Sequence, residues 1–130
     1  MNPARLYLDT HRQTASRERL MLMLFDAALA NIRTGAELLE FKRKLPASRP
    51  LIRATEIVAV LRQTLDPSRD TALCRNLTDV YVFVEARLIA AYSGGDPRHA
   101  REAERVLAPI AAAFTQVIAT AQRAEIGGAL

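Results

Sequence analysis

The 130-residue sequence lacks most of the residues that staple a small protein together or anchor it in a membrane. It has one cysteine, Cys74, no tryptophan and only five glycines. A lone cysteine excludes an intramolecular disulfide and fits a reducing compartment. No apolar run is long enough to cross a membrane, and the first residues do not have the pattern of a signal peptide. The sequence therefore predicts a cytoplasmic protein.

The residue patterns of common catalytic and cofactor sites are also missing. The two histidines, His11 and His99, have no second ligand at metal-binding spacing, and Cys74 has no neighbouring histidine to activate it. Gly94 and Gly95 form a turn signal without a glycine-rich phosphate loop around them. We therefore predict no catalytic residue, no cofactor and no metal, and we expect a protein that is not an enzyme.

The residues that are present favour an all-α domain. Half of the chain is apolar, and no segment alternates with a period of two for long, whereas four segments repeat with the helical period. Tight turn signals at Asp66–Pro67 and at Gly94–Pro97 separate the last three segments, and short connections place consecutive helices antiparallel. The prediction is one antiparallel up-down-up-down four-helix bundle over residues 16–124.

The predicted helices have defined limits. Helix 1 begins after Ser16, 42–50 is a connection, and helix 2 covers about 51–65. Helix 3 has Asp66 as its N-cap and Pro67 at its first position and runs to about Tyr92, and helix 4 begins at Pro97. The predicted core stripes are Leu20, Met21, Leu24, Ala28, Ile32, Gly35 and Leu39 on helix 1, Leu51, Ala54, Val58, Leu61 and Leu65 on helix 2, and Ala100, Ala103, Leu107, Ile110, Phe114, Val117 and Ala121 on helix 4. Pro109 should kink or split helix 4, because its ring removes a backbone hydrogen bond. Residues 1–15 are predicted to be an N-terminal arm and residues 125–130 a flexible tail.

The basic charge is a weak indication of a nucleic-acid partner. The formal net charge is +4, with basic clusters at Lys42, Arg43, Lys44 and Arg49 and at Arg98, Arg101 and Arg105. Acidic residues interrupt most of the basic stretches, and no aromatic residues are interleaved for base stacking. Solvated helix faces explain the charge, and a small basic bundle that binds nucleic acid stays an alternative.

Helix 3 is more apolar than one buried face requires. Val82, Phe83 and Ile89 project away from its core stripe, and Ile52, Val60 and Met23 do the same on helices 2 and 1. Helix 3 either sits between two apolar neighbours or offers a groove to a partner. A self-associating bundle would bury the same residues against its own copy.

The N-terminal arm contains a short apolar cluster, Leu6, Tyr7 and Leu8, followed by a polar run. Such a segment can dock on the surface of its own domain and leave again, or it can pack permanently against the end of the bundle.

The chain resembles the FliS family of flagellar export chaperones along most of its length. The similar segments lie in the same order and spacing as in that family, from Met1 to about Val117: MNPxxxY at 1–7, QTAS at 13–16, LMLMLFDAAL at 20–29, LIRATEIVAVLRQTLD at 51–66 and NLTDVYVFVEARL at 76–88. The family's pattern differs at Val82, where it has an aspartate.

The resemblance implies a function for the apolar residues outside the core. Members of this family bind the disordered C-terminal segment of flagellin, which wraps around the bundle and partly folds, and so prevent premature polymerisation before export. The resemblance also implies that the arm, through Leu6, Tyr7 and Leu8, covers part of this surface when flagellin is absent.

The expected flagellin-binding groove combines the apolar residues outside the core with two positions that match the family, Leu77 and Tyr81, although the helical projection places these two in the core. Asn76 and Arg87 are candidates for a polar rim. We further expect a monomer or weak homodimer, no nucleic acid, no membrane insertion and a possible contact with the flagellar export gate. The predicted groove is lined by Met23, Ile52, Ile57, Val60, Leu77, Tyr81, Val82, Phe83 and Ile89.

Overall fold

The computed structural model describes residues 2–66, 68–69 and 71–129, without the side chains of His11 and of residues 125–129. The described residues form four helices, α1 Pro3–Glu40, α2 Lys44–Gln63, α3 Thr71–Gly94 and α4 Pro97–Ala129. Each helix packs mainly on the helix before it and the helix after it, and α4 returns to pack on α1. This closed ring of antiparallel neighbours confirms the predicted all-α four-helix bundle.

The core of the bundle is apolar, and no polar or charged residue is buried in the part of the chain that the structure describes. The buried stripe of each helix repeats at three and four residues, as an amphipathic helix requires. α2 buries four of the five residues that its periodicity predicted, whereas Leu65 lies past the end of α2 and is partly buried. The largest fully buried side chains of the bundle are Phe25, Ile32, Leu51, Val58, Leu61, Val84, Leu88 and Leu107.

The predicted core is wrong in detail at the ends of α1 and α4. Phe25 and Leu29 are buried although they lie outside the predicted stripe of helix 1, whereas Leu20 is exposed. Towards the end of α4, Ile118 is buried, whereas its neighbour Val117, which the projection placed in the core, is exposed. The Phe25 and Phe114 rings pack together with their centroids 5.5 Å apart. This contact fixes which side of α1 and of α4 faces the core at this level.

The predicted start of helix 1 after Ser16 is wrong, because α1 begins at Pro3. The side chain of Asn2 accepts a hydrogen bond from the backbone N–H of Ala4 at 3.1 Å, and Pro3 occupies the first helical position. The hydroxyls of Thr10 and Thr14 donate to carbonyl oxygens four residues earlier, so polar side chains in this run are accommodated on a helix. The predicted arm is therefore a helical extension of α1.

The predicted start of helix 2 at residue 51 is also wrong, because α2 begins at Lys44 and continues through Pro46 and Pro50. Pro46 lies in the first turn, where its missing N–H has no helical acceptor. Pro50 removes one internal hydrogen bond, but continuation of the helix through it carries Ala47 into the core beside Leu51, and both are fully buried. Tertiary packing thus outweighs the local cost of the proline.

The remaining boundaries are partly as predicted. Gly95 has a φ of 81° and ends α3, and Asp96 and Pro97 start α4. α3, however, begins at Thr71 rather than directly after Asp66, whose side chain instead accepts hydrogen bonds from the backbone and hydroxyl of Ser68; Pro67 lies outside the described residues. α4 is not split at Pro109, and its backbone stays helical to Ala129, past the predicted tail boundary at 124.

α1 and α2 approach each other closely at Gly35. A Cβ atom at this position would overlap the Cγ and Cδ2 atoms of Leu51. Leu51 is fully buried, so its side chain cannot swing into solvent to make room. The absent side chain of Gly35 therefore sets the distance between the two helices.

We expect Gly35→Ala to destabilise the bundle by about 1–3 kcal/mol, because an added methyl group overpacks a filled core. Urea unfolding should show a lower midpoint with an unchanged slope. Gly94→Ala is the matched control, since nothing lies within 4 Å of its Cβ position. Equal stability of the Gly35 variant and the parent protein would contradict the close packing.

A pH-dependent contribution should come from Asp96 at the start of α4. Hydrogen bonds from the side chain and the backbone N–H of Arg98 lower the pKa of Asp96 from 3.8 to about 2. A lowered pKa in the folded state stabilises the protein above pH 3.8, and this contribution disappears as the pH falls toward about 2. Asp96→Ala should therefore lower the urea midpoint at pH 6 but hardly at pH 2, provided that both proteins remain folded. An equal difference at both values would mean that the carboxylate charge contributes nothing.

Candidate functional site

The three predicted groove residues of α3 that the helical projection placed outside the core are exposed. Val82 is 49% exposed, and Phe83 and Ile89 are each 44% exposed. They belong to a helix whose opposite face is fully buried through Val84 and Leu88. α3 thus has two apolar faces, of which the bundle covers one.

Val82 and Ile89 lie on the side of α3 that borders α2. They are seven residues apart, which is about two helical turns, and Glu85 lies between them on the same side. The Glu85 carboxylate accepts a hydrogen bond from Nε of Arg62 on α2 at 2.9 Å. This ion pair joins α2 and α3, and it places Val82 and Ile89 along the outer edge of their contact.

Ile52 extends this surface on α2. It lies in line with Ala59, seven residues later, and about 80° around the helix from Arg62. Ile52 is exposed, and Ala59 is half-buried. We call the surface formed by Val82, Ile89 and the neighbouring exposed side of α2 at Ile52 the α2–α3 face.

Phe83 lies on a different side of α3, which borders α4. Arg87, one turn later, places its guanidinium carbon 5.5 Å from the centre of the Phe83 ring. Nη1 of Arg87 lies 3.5 Å from the Glu102 carboxylate and 3.4 Å from Nδ1 of His99, both on α4. Asn76 is seven residues before Phe83 and exposed on the same side. We call the surface formed by Asn76, Phe83 and Arg87 the α3–α4 face.

The Arg87 side chain is held in place from several directions. The aromatic ring of Phe83 lies against its guanidinium group, and α4 supplies the carboxylate of Glu102. Its Nε atom is buried without a hydrogen-bond partner within the part of the chain that the structure describes. Arg87 therefore fixes the edge of the α3–α4 face.

The other predicted groove residues do not join either face. Val60 lies two positions before Arg62, about 200° around the helix, and so points away from the edge with α3. Met23 is exposed, and it lies two positions before the buried Phe25, on the opposite side of the helix. It therefore points outward from α1. Ile57 is partly buried and packs against the core.

The two residues chosen for their match to the family lie inside the bundle. Tyr81 is 3% exposed, and its burial raises the pKa of its hydroxyl. Leu77 is partly buried against the core. The structure therefore confirms the helical projection for both, and it makes Tyr81 a poor candidate for direct contact with a partner in this conformation.

The apolar residues of the N-terminal segment do not cover the groove in this structure. Leu6, Tyr7 and Leu8 lie on the exposed first turns of α1, and Tyr7 is 71% exposed. The described side chains from Asn2 to Arg17 are all exposed. The segment extends beyond the core because α1, at 38 residues, is much longer than α2 and α3.

The sequence interpretation missed two of the most exposed apolar residues, which flank the turn between α1 and α2. Phe41 is 71% exposed and Leu45 is 86% exposed. The sequence pattern places 42–50 in a connection, and in a connection the helical period cannot show whether an apolar side chain faces the core or solvent. The signal was present as the segment FKRKL, in which two bulky apolar residues enclose three cations.

The described residues contain no group of three or more metal-binding side chains. Cys74 is half-buried, and its thiol lies 3.0 Å from the backbone carbonyl of Asp66. None of the helices, within the residues described, is both long enough and apolar enough to span a bilayer.

Comparison with known proteins identifies the family. A search of curated proteins finds no match to this chain. A family profile with the description "Flagellar protein FliS" matches residues 1–121, which is nearly the whole chain and reaches into α4. The four-helix architecture is the one that the resemblance implied. The chain belongs to the FliS family of flagellar chaperones.

Proposed function

We propose that this protein is a cytoplasmic export chaperone for flagellin. In this proposal it binds the disordered C-terminal segment of flagellin, prevents premature polymerisation and keeps the subunit competent for type III export. The observation that carries the proposal is the exposed apolar surface of α3 beside a core that is already complete. A bundle that had only to fold would not need Val82, Phe83 and Ile89 to be apolar.

The energetics favour a client that wraps around the bundle over one that docks on a single face. Full burial of a large apolar side chain contributes about 1.5–3 kcal/mol, so covering the exposed half of Val82, Phe83 or Ile89 contributes about 1 kcal/mol each. Ordering a disordered segment costs about 2–5 kcal/mol or more, which these three residues barely offset. Useful affinity therefore requires further contacts. Ile52 adds apolar surface to the α2–α3 face, and Val60 and Met23 add it on other sides of the bundle.

The arrangement also supports a helical form for part of the bound segment. Val82 and Ile89 are two turns apart along the α2–α3 edge, a spacing that the apolar residues of a docked helix match. The Arg62–Glu85 pair lies between them, so the segment would cross one polar position between two apolar contacts. Across α3, the α3–α4 face ends at the Arg87 rim. A segment that follows both faces has to pass over α3.

We expect Val82→Asp and Phe83→Asp each to weaken binding of the flagellin C-terminal segment by about tenfold or more, since a buried carboxylate without a partner is costly. Calorimetric titration at low and high salt would measure this loss and the negative heat-capacity change of apolar burial. Val117→Asp is the matched control, because Val117 is exposed on α4 outside both faces.

The same three variants should unfold at nearly the parent urea concentration, because their side chains are exposed. Val84→Asp should unfold at a lower urea concentration than the parent protein, because Val84 is fully buried. Unchanged affinity of both α3 variants would overturn the proposed surface. Lack of binding by the parent protein, together with a concentration-dependent dimer mass, would assign the surface to self-association instead.

We further propose that the N-terminal segment competes with flagellin through Leu6, Tyr7 and Leu8. Competition requires α1 to open near Ser16, whose side chain could then cap a shorter helix. The described side chains of these first turns are exposed, so opening them uncovers little of the core.

Deletion of residues 2–15 should raise the affinity for the flagellin segment several-fold, because the bound state no longer has to displace the arm. The urea midpoint should fall only slightly, since the deleted side chains lie outside the core. The triple variant Leu6→Ser, Tyr7→Ser, Leu8→Ser keeps the chain length and should reproduce the gain. Unaltered or lower affinity in both would exclude competition.

A further inference from the structure

One end of the bundle carries an exposed basic and apolar surface that client binding does not explain. It comprises the turn between α1 and α2 and the turn between α3 and α4, which lie side by side. The methylene groups of Lys44 lie over Gly95, within 3.1 Å of the position a Cβ atom would take, and Arg101 pairs with Glu40. We call this surface the basic end; its charged residues are Glu40, Lys42, Arg43, Lys44, Arg49, Asp96, Arg98 and Arg101.

Cations outnumber carboxylates at the basic end. Asp96 and Glu40 are engaged by arginines of the same end, Asp96 by Arg98 and Glu40 by Arg101. On the α4 side Arg101 also pairs with Glu104, so the charges there largely compensate one another. The turn between α1 and α2 instead holds Lys42, Arg43, Lys44 and Arg49 without an ion pair to the described residues, so the positive field points outward from this turn.

Two bulky apolar side chains protrude from the same place. Leu45 and Phe41 are 86% and 71% exposed, and they enclose Lys42, Arg43 and Lys44 in the sequence. The turn does not require this arrangement, because backbone hydrogen bonds from Lys42 to Leu39 and from Arg43 to Leu38 already close it. Lys42 has a φ of 59°, a conformation that glycine adopts more easily, so the cation is kept there at some local cost.

We infer that the basic end binds the surface of an anionic lipid bilayer. The cations would lie at the level of the lipid headgroups, and Phe41 and Leu45 would enter the boundary with the acyl chains. The exposure favours a bilayer over a protein or nucleic-acid partner, because Leu45 is almost fully exposed and a bilayer needs no receiving groove. Duplex DNA would use the charge but not the aliphatic side chain. This inference does not depend on the client proposed above.

The test uses the full chain and vesicles of phosphatidylcholine, with or without about one-third phosphatidylglycerol, in a co-sedimentation assay at low and high salt. We expect binding to the anionic vesicles only. Lys42→Glu with Lys44→Glu should weaken it by about 25-fold or more, since each cation near an anionic leaflet contributes about fivefold. Arg17→Glu with Arg19→Glu is the matched control, because it changes the net charge equally on an exposed part of α1.

The depth of binding can be measured with a unique fluorophore, because the chain has no tryptophan. Phe41→Trp should show a blue-shifted emission on anionic vesicles, and Val117→Trp should not. Leu45→Ser should weaken vesicle binding several-fold without lowering the urea midpoint.

Four results would overturn the inference. These are an absence of binding to anionic vesicles at low salt, an equal loss in the Arg17 and Arg19 control, an unshifted Phe41→Trp emission, or tighter binding to duplex DNA than to the vesicles. The last result would assign the basic end to nucleic acid.

Discussion

Each helix of this bundle can bury only one stripe of its surface, because in a closed ring of four it contacts two neighbours and a shared centre. The core fills that centre with apolar side chains, and it is complete without the outer face of α3. Any further apolar residue must then face solvent. The exposed second face of α3 follows from this geometry, and it is the property that a chaperone for an apolar, disordered client requires.

The contacts between helices divide into two kinds. α1 and α2 are held by close packing at Gly35, where the missing side chain admits Leu51. The other three pairs of neighbours carry ion pairs at their outer edges, of which Arg62–Glu85 joins α2 to α3 and Arg87–Glu102 joins α3 to α4. Exposed ion pairs contribute little stability. Their main effect here is to place charged groups beside the exposed apolar residues, so that each apolar face has a polar edge.

The two ends of the bundle differ in construction. At one end α1 and α4 extend past the core, and their described side chains are exposed from Asn2 to Arg17 and from Thr120 to Ala124, apart from that of His11, which lies outside the description. At the other end the turns are closed by backbone hydrogen bonds, and the turn between α1 and α2 carries Lys42, Arg43 and Lys44 in sequence. One end therefore has helix ends with exposed side chains, whereas the other is closed and basic.

The sequence by itself determined the helical class, the number of helices, the stripe of α2 and the apolar character of the second face of α3, because these depend on the period of apolar residues along one helix. It also contained the start of α1, since Asn2–Pro3 is the same kind of signal as Asp96–Pro97, but the polar run up to Thr14 concealed it. Only the tertiary structure decided that α2 continues through Pro50, because the burial of Ala47 and Leu51 outweighs the proline. It also decided that Val82 and Phe83, neighbours in the chain, lie on different faces, since the side of each residue depends on which helix packs beside it.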